Sequence, residues 1–303
     1  MGLRGRLRGT AIQLANALRL DDLMLAGLAR AGAFLHAVNF HGTPAAGGET
    51  FIRQMEWLRS RFTVLNPMAL GSFWDSPGSI HKPAALLTFD DGLGSNFSVA
   101  APILESLGLR GLFFVNPGFA QLRGPAAKGF FLDRLAARRN RPLSTEEWTP
   151  MTPDQIAELA RRGHAIGNHT FSHADLSAGD TGSLLHEIVY SRDVLSQWTG
   201  RAVECFAWTY KWNAISRAAW DMARSHHRFC FAPCSGLTSL APGRPDLMWR
   251  TNVECGYSES EYRFVYSGLA AIPAWPKRRR LERELHLSAA AFGPEREERG
   301  WLA

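Results

Sequence analysis

Two places in this 303-residue sequence hold side chains that could do chemistry together. The first is Leu86-Leu87-Thr88-Phe89-Asp90-Asp91-Gly92, an apolar run that ends in two adjacent carboxylates and a glycine. A buried strand accounts for the apolar part, and an Asp-Gly turn would account for its end. Packing does not account for the carboxylates, because neighbouring Asp side chains repel each other and resist desolvation unless they meet water or a cation. The second place is His169-Thr170-Phe171-Ser172-His173. On a helical turn that spacing puts both imidazoles on one face, close enough to hold one metal ion. Two histidines with one carboxylate from another strand end make an open metal site, with positions left for water and substrate.

The surrounding sequence supplies elements to carry such a site. Residues 33–40 read as a strand that ends in the turn His41-Gly42-Thr43-Pro44, and 49–62 as a helix with an apolar stripe of Phe51, Ile52, Met55, Trp57, Leu58 and Phe62. Residues 70–83 carry Gly, Ser, Pro and Asp and read as loop, followed by a strand over 84–89. A helix over 96–107 and a strand over 111–116 come next, then an irregular insertion over 119–150 with a short helix near 131–138. Thr152-Pro153-Asp154 has the marks of a helix start. Strands are expected over 164–168, 205–210, 229–232 and 247–253, and helices over 183–198, 216–225 and 259–269. Strand alternating with helix implies parallel strands with helical crossovers. In such folds chemistry gathers at the carboxyl ends of the strands. His41, Asp90, Asp91, His169, Tyr210 and Arg250 all fall at or near such ends.

The 46% hydrophobic and 20% charged content is that of a globular enzyme, and no apolar run has membrane-spanning length. The formal charge is +6, with much of the excess in Arg4, Arg6 and Arg8 and in Lys277-Arg278-Arg279-Arg280. These runs read as solvated faces, or as attraction to anionic lipid or a phosphate-bearing substrate. Zinc-finger spacing, a Gly-rich phosphate loop and aromatic-basic interleaving are missing, which argues against nucleic acid. The stretch after the N-terminal arginines is too polar for a secretory leader. The expectation is therefore a cytoplasmic protein, with the inner face of the membrane as a further option. Cys205, Cys230, Cys234 and Cys255 lack metal-site spacing and read as reduced core thiols.

Thr88-Phe89-Asp90-Asp91-Gly92 followed by His169-Thr170-Phe171-Ser172-His173 resembles the first two motifs of the polysaccharide deacetylases, the NodB-homology or carbohydrate esterase family 4 group. Leu112-Phe113-Phe114-Val115, the segment from Met151 to His164, and Asp175-Leu176-Ser177 resemble further parts of that family. Phe40-His41 resembles the branch that opens with a Tyr-His strand end and has no late Leu-x-x-His motif. The resemblance covers roughly residues 34–270. It implies an α/β fold, a distorted (β/α)7 barrel in one domain. The division is then a helical extension over 1–32, the barrel over 33–270 and a charged, basic tail over 271–303. It implies metal-dependent removal of the N-acetyl group of an amino sugar in a polysaccharide or its precursor. Asp91, His169 and His173 would be the metal ligands, with zinc the default and cobalt, nickel, manganese or iron possible, and Asp90 the general base.

The third motif departs from the family. Phe206-Ala207-Trp208-Thr209-Tyr210-Lys211-Trp212 stands where the family has a Pro-Tyr pair, with Thr209 in place of proline. Tyr210 aligns and could offer its N–H to an oxyanion. Trp208 and Trp212 are either a sugar-stacking platform or core. His41 is the candidate general acid or substrate contact. Arg250 either pairs with Asp90 and keeps its pKa low, or sits in a salt bridge at the barrel rim. The expected substrate is an N-acetylated carbohydrate, with a lipid or nucleotide carrier and peripheral contact to an anionic membrane surface as further options. The rival readings are an amidase or deformylase on a small substrate, and a carbohydrate-binding pseudo-enzyme.

Overall fold

The computed structural model describes residues 3–31, 34–75, 83–135, 143–210, 213, 215–239 and 247–286. Nine strands order the fold: β1 (Phe34–Phe40), β2 (Thr63–Val64), β3 (Ala84–Phe89), β4 (Leu112–Val115), β5 (Ala165–Asn168), β6 (Cys205–Ala207), β7 (Phe229–Ala232), β8 (Thr238–Ser239) and β9 (Met248–Asn252). Seven of them run parallel in the order β1-β3-β4-β5-β6-β7-β9 and close on themselves through the pairing of β9 with β1. The short β2 adds parallel to the start of β3, and β8 adds antiparallel to β1. The expected (β/α)7 barrel is therefore the fold observed.

Strand alternation explains how the interior is filled. Leu35 and Ala37 on β1, Ala84 and Leu86 on β3, Leu112 and Phe114 on β4, and Phe229 and Phe231 on β7 share one buried cluster. Their neighbours Val38, Phe40, Leu87, Phe89, Phe113 and Val115 belong to another cluster, with helix residues such as Phe51, Met55, Leu58 and Leu104. A period of two thus sends one set inward and the other against the helices. Continued by one step, the inward set on β1, β3 and β9 becomes Asn39, Thr88 and Arg250. Asn39 is in register with both Thr88 and Asn252, which puts a polar layer on top of the apolar plug.

Several elements differ from the sequence expectation. The stretch from residue 70, expected as loop, begins with a helix, Leu70–Asp75. Its Leu70 and Trp74 are buried in the interior cluster, and that burial outweighs the Gly and Ser signals of the stretch. A helix, Pro117–Ala120, runs into the insertion, which contains the helices Gly124–Phe130, Phe131–Leu135 and Thr145–Trp148 around a small core of Leu93, Phe119, Ala127 and Phe131. The segment 205–210 is strand only as far as Ala207.

Residues expected as a charged tail include a helix, Trp275–Glu284. Leu281 is fully buried and, with Leu285, packs in the cluster that holds Trp208, Trp220 and Trp249. Arg278 donates to the carbonyls of Ala271, at 2.8 Å, and Ser235. At the other end, Leu3–Ala17 and Leu20–Ala31 are helices that bury Ile12, Ala15 and Leu25.

Because Leu281 is core, Leu281→Ala should cost about 2–5 kcal/mol in a urea titration. A change within about 0.5 kcal/mol would instead return this helix to the status of an accessory tail.

Candidate active site

Asp90 and Asp91 leave the carboxyl end of β3 in different directions. The Asp90 backbone N–H donates to Phe40 O at 2.8 Å, which extends the β1–β3 ladder by one residue. Asp91 has φ 73° and Gly92 φ 71°, so the chain turns sharply between the two carboxylates. Both aspartates are buried, at 4% and 5% exposure.

Asp90 points into the polar layer. Its Oδ1 accepts from Arg250 Nη1 at 2.6 Å and its Oδ2 from Asn39 Nδ2 at 2.8 Å. Asn39 also donates to Asn252 Oδ1 at 3.1 Å and accepts from Thr88 Oγ1 at 2.9 Å and Arg250 Nη1 at 3.2 Å. The guanidinium of Arg250 lies 5.0 Å over the ring of Phe114, so the apolar plug supports it from below. Arg250 is 2% exposed and so stands inside the barrel rather than on its rim. Burial pushes the Asp90 carboxyl towards its neutral form, but Arg250, His169 and His41 together outweigh it. The pKa ends well below the ordinary carboxylate value.

Asp91 points the other way. Its Oδ1 is 3.6 Å from His169 Nε2 and 3.6 Å from His173 Nε2, beyond hydrogen-bonding distance in each case. Ligand bonds of about 2.0–2.1 Å in a tetrahedral shell put donor atoms roughly 3.3–3.4 Å apart, so this spacing suits a shared cation. One donor atom from each of Asp91, His169 and His173 lies within 4.8 Å of the other two, and all three residues are buried. His169 Nδ1 lies 2.9 Å from the carbonyl of Ala207. A carbonyl only accepts, so Nδ1 carries a proton, and Nε2 is the nitrogen turned towards Asp91. Burial, with help from His169, holds the His173 imidazole well below its usual pKa and therefore neutral. Burial raises the pKa of Asp91, against His41 and His169. A carboxylate whose charge is disfavoured, beside two imidazoles poised to ligate, fits a divalent cation.

The loop that carries the histidines is held from several sides. Asn116 Nδ2 donates to Thr170 O at 3.0 Å and also to His169 O. Asn168 Oδ1 accepts from Thr170 N at 3.0 Å and Ser191 Oγ at 2.7 Å. Glu187, inside the π-helical stretch Leu185–Tyr190, accepts from Ser172 N at 2.8 Å and Ser172 Oγ at 2.7 Å. The motif is thus a clamped turn and not a helix, and Thr170 and His173 have φ 64° and 52°. Tyr210, with φ 57°, places its ring 4.7 Å from that of His173. Left-handed non-glycine residues are costly, and such strain collects at functional sites.

His41 is half-buried at the end of β1, close enough for its charge to act on Asp90 and Asp91. Tyr210 is 42% exposed, at the mouth of the site. Trp208 corrects the stacking-platform expectation: it is 1% exposed, wedged between Phe206 at 4.7 Å and Trp220 at 5.4 Å, and it is core. Trp212 lies outside the described residues. Sequence reasoning passed over Asn39, Asn116, Asn168 and Glu187. The asparagines carried a signal, since each stands at or beside the end of an apolar strand run.

Residues 78–227 match the family described as Polysaccharide deacetylase. The chain belongs to that family. Family membership makes it a hydrolase of the class that deacetylates polysaccharides. Solved structures share the fold at low identity. A polysaccharide deacetylase from Bacillus cereus is 18% identical, with a TM-score of 0.57 over 78% of this chain and 69% of that one. The deacetylase PplD of Streptococcus pyogenes, in complex with acetate, is 18% identical with a TM-score of 0.56 over 76% and 96%. IcaB from Ammonifex degensii is 18% identical with a TM-score of 0.57 over 78% and 99%. No curated protein matches this chain in sequence.

Two outcomes follow from the polar layer of this deacetylase. Arg250→Met removes the main influence that lowers the Asp90 pKa and leaves burial opposed only by the histidines. Asp90 then takes up its proton at higher pH, so the acid limb of kcat/KM should move upward. A limb that stays in place would separate Asp90 from the rate. Asn39→Ala strips Asp90 Oδ2 of its donor and leaves buried groups of Thr88, Asn252 and Arg250 short of a partner, so it should lower kcat about 10–100-fold and lower the thermal midpoint as well. Steady-state acetate release and thermal unfolding measure the two.

Proposed function

We propose that the chain is a metal-dependent N-deacetylase acting on an N-acetylated amino sugar of a polysaccharide or its precursor. The observation that carries this reading is the divided carboxylate pair. Asp91 faces two histidines with free ring nitrogens, while Asp90 is held apart by Arg250 and Asn39. Asp91, His169 and His173 would hold a divalent cation, zinc by default with cobalt, nickel, manganese or iron as alternatives. When bound, it would act as a Lewis acid and lower the pKa of a water from about 15.7 towards about 7.

In this reading the chain's own residues manage the protons. Asp90, ionised through the neutral range, takes a proton from the water that attacks the acetamide carbonyl carbon. Arg250 and Asn39 each fix one of its oxygens, so a lone pair is aimed and need not be found by rotation. The Tyr210 N–H is assigned to the carbonyl oxygen as negative charge develops there. The C–N bond then breaks, His41 supplies the proton that the leaving amine needs, and acetate and a free amino sugar result. A precursor carried on a lipid or a nucleotide suits the chain's positive charge. A non-catalytic carbohydrate binder is the poorer reading, because binding alone gives no reason to bury an oriented Asp90.

The test compares Asp90→Asn with Asp91→Ala after chelation and reloading with zinc or cobalt. Asp90→Asn should retain bound metal and lose acetate release by about 10²–10⁴-fold. Asp91→Ala should lose the metal as well. Equal metal content in the two variants, read by elemental analysis, would sink the proposed division of labour.

A further inference from the structure

The corner between the helices Leu3–Ala17 and Leu20–Ala31 gathers exposed leucines. Leu14, Leu18, Leu20 and Leu23 are 61%, 58%, 39% and 65% exposed. They face outward because the opposite side of the hairpin is committed to the barrel. Ile12, Ala15 and Leu25 are buried there, and Asn16 Nδ2 donates to Ser260 O at 3.0 Å. On the second helix, Leu20, Leu23, Gly27 and Arg30 follow helical spacing and form one exposed stripe. Single exposed leucines are ordinary, but a contiguous group of them marks an interaction surface.

The charges around this corner say what kind of surface it meets. Asp21 and Asp22 are the only acidic residues before Glu49. Both are taken up by arginines of the barrel: Asp21 by Arg263 at 2.6 Å, and Asp22 by Arg61 at 3.0 Å. Arg19 and Arg30 are exposed beside the leucines. The hairpin therefore presents leucines beside positive charge, with its two acidic side chains already paired to arginines of the barrel. A second copy seated on the same face would bring arginines against arginines. No helix among the described residues is long and apolar enough to cross a membrane.

We propose that this hairpin docks the protein onto an anionic lipid bilayer. The four leucines enter the boundary between headgroups and acyl chains, and the arginines lie among the lipid phosphates. The catalytic residues take no part, so this inference stands or falls apart from the proposed reaction.

Flotation of the full chain with vesicles tests it. Vesicles rich in phosphatidylglycerol should carry the protein at low salt. Phosphatidylcholine vesicles should carry about tenfold less or below, and high salt should release it. Leu14→Ser/Leu18→Ser/Leu23→Ser should weaken binding about tenfold or more, with the thermal midpoint and activity on a soluble substrate unchanged. Arg19→Ser/Arg30→Ser should weaken it in the same direction. Failure of the wild type to float, or equal flotation of the triple variant, would overturn the proposal. So would a wild-type dimer in light scattering that becomes a monomer in the triple variant, since the leucines would then serve self-association.

Discussion

The buried contact between Arg250 and Asp90 is the constraint around which the upper half of the barrel is built. Two charges taken out of water cost several kcal/mol each, and mutual attraction repays that only with good geometry and further hydrogen bonds. Here the further bonds come from Asn39, which itself is held by Thr88 and Asn252. Neighbouring strands thus each give a polar side chain to one layer, with Phe114 beneath the guanidinium. The apolar plug below supplies the low dielectric that makes the pair strong, and the polar layer keeps it from being orphaned.

That pair also separates the two aspartates. Adjacent carboxylates on one extended strand would point to opposite faces, but here the chain has already left the strand. The left-handed turn at Asp91 and Gly92 swings the second carboxylate towards the histidines while the first remains on the barrel floor. Gly92 is where this turn meets the wall: a Cβ there would approach Val115 Cγ1 to 3.1 Å. The histidine loop makes a matching adjustment with its own left-handed residues, fixed by Asn116, Asn168 and Glu187. Each half of the site is strained locally and held by bonds from a neighbouring element.

Much of this was legible in the sequence, and the parts that were not share a cause. Asp90, Asp91, His169 and His173 stood out because polar residues at the end of apolar runs have no packing explanation. The closed barrel followed from strand alternating with helix. Asn39 escaped notice because one asparagine inside an apolar run resembles an ordinary strand interruption, and its partners come from Asp90 and Asn252, far along the chain. Trp208 suggested a sugar platform because tryptophan near a site is ambiguous until burial is known. The helices Leu70–Asp75 and Trp275–Glu284 were hidden for the same reason. Leu70–Asp75 is weak by local signals and is held by Leu70 and Trp74, whereas Trp275–Glu284 is rich in good helix formers and only the burial of Leu281 in a distant core sets it apart from a solvated charge run. Tertiary burial overrode local propensity in the first.

The closure of β9 onto β1 has a consequence for how the molecule comes to be active. Arg250 and Asp90 are 160 residues apart in sequence, and Asn39 and Asn252 are 213 apart. Such contacts are among the last that a chain can afford entropically, because large loops must close before they form. A barrel open between its first and last strands would hold the histidine loop and the Asp-Asp turn, yet Asp90 would lack its guanidinium. The pairing of Asp90 with Arg250 therefore arrives with the final seam, and a chain not yet closed there lacks it.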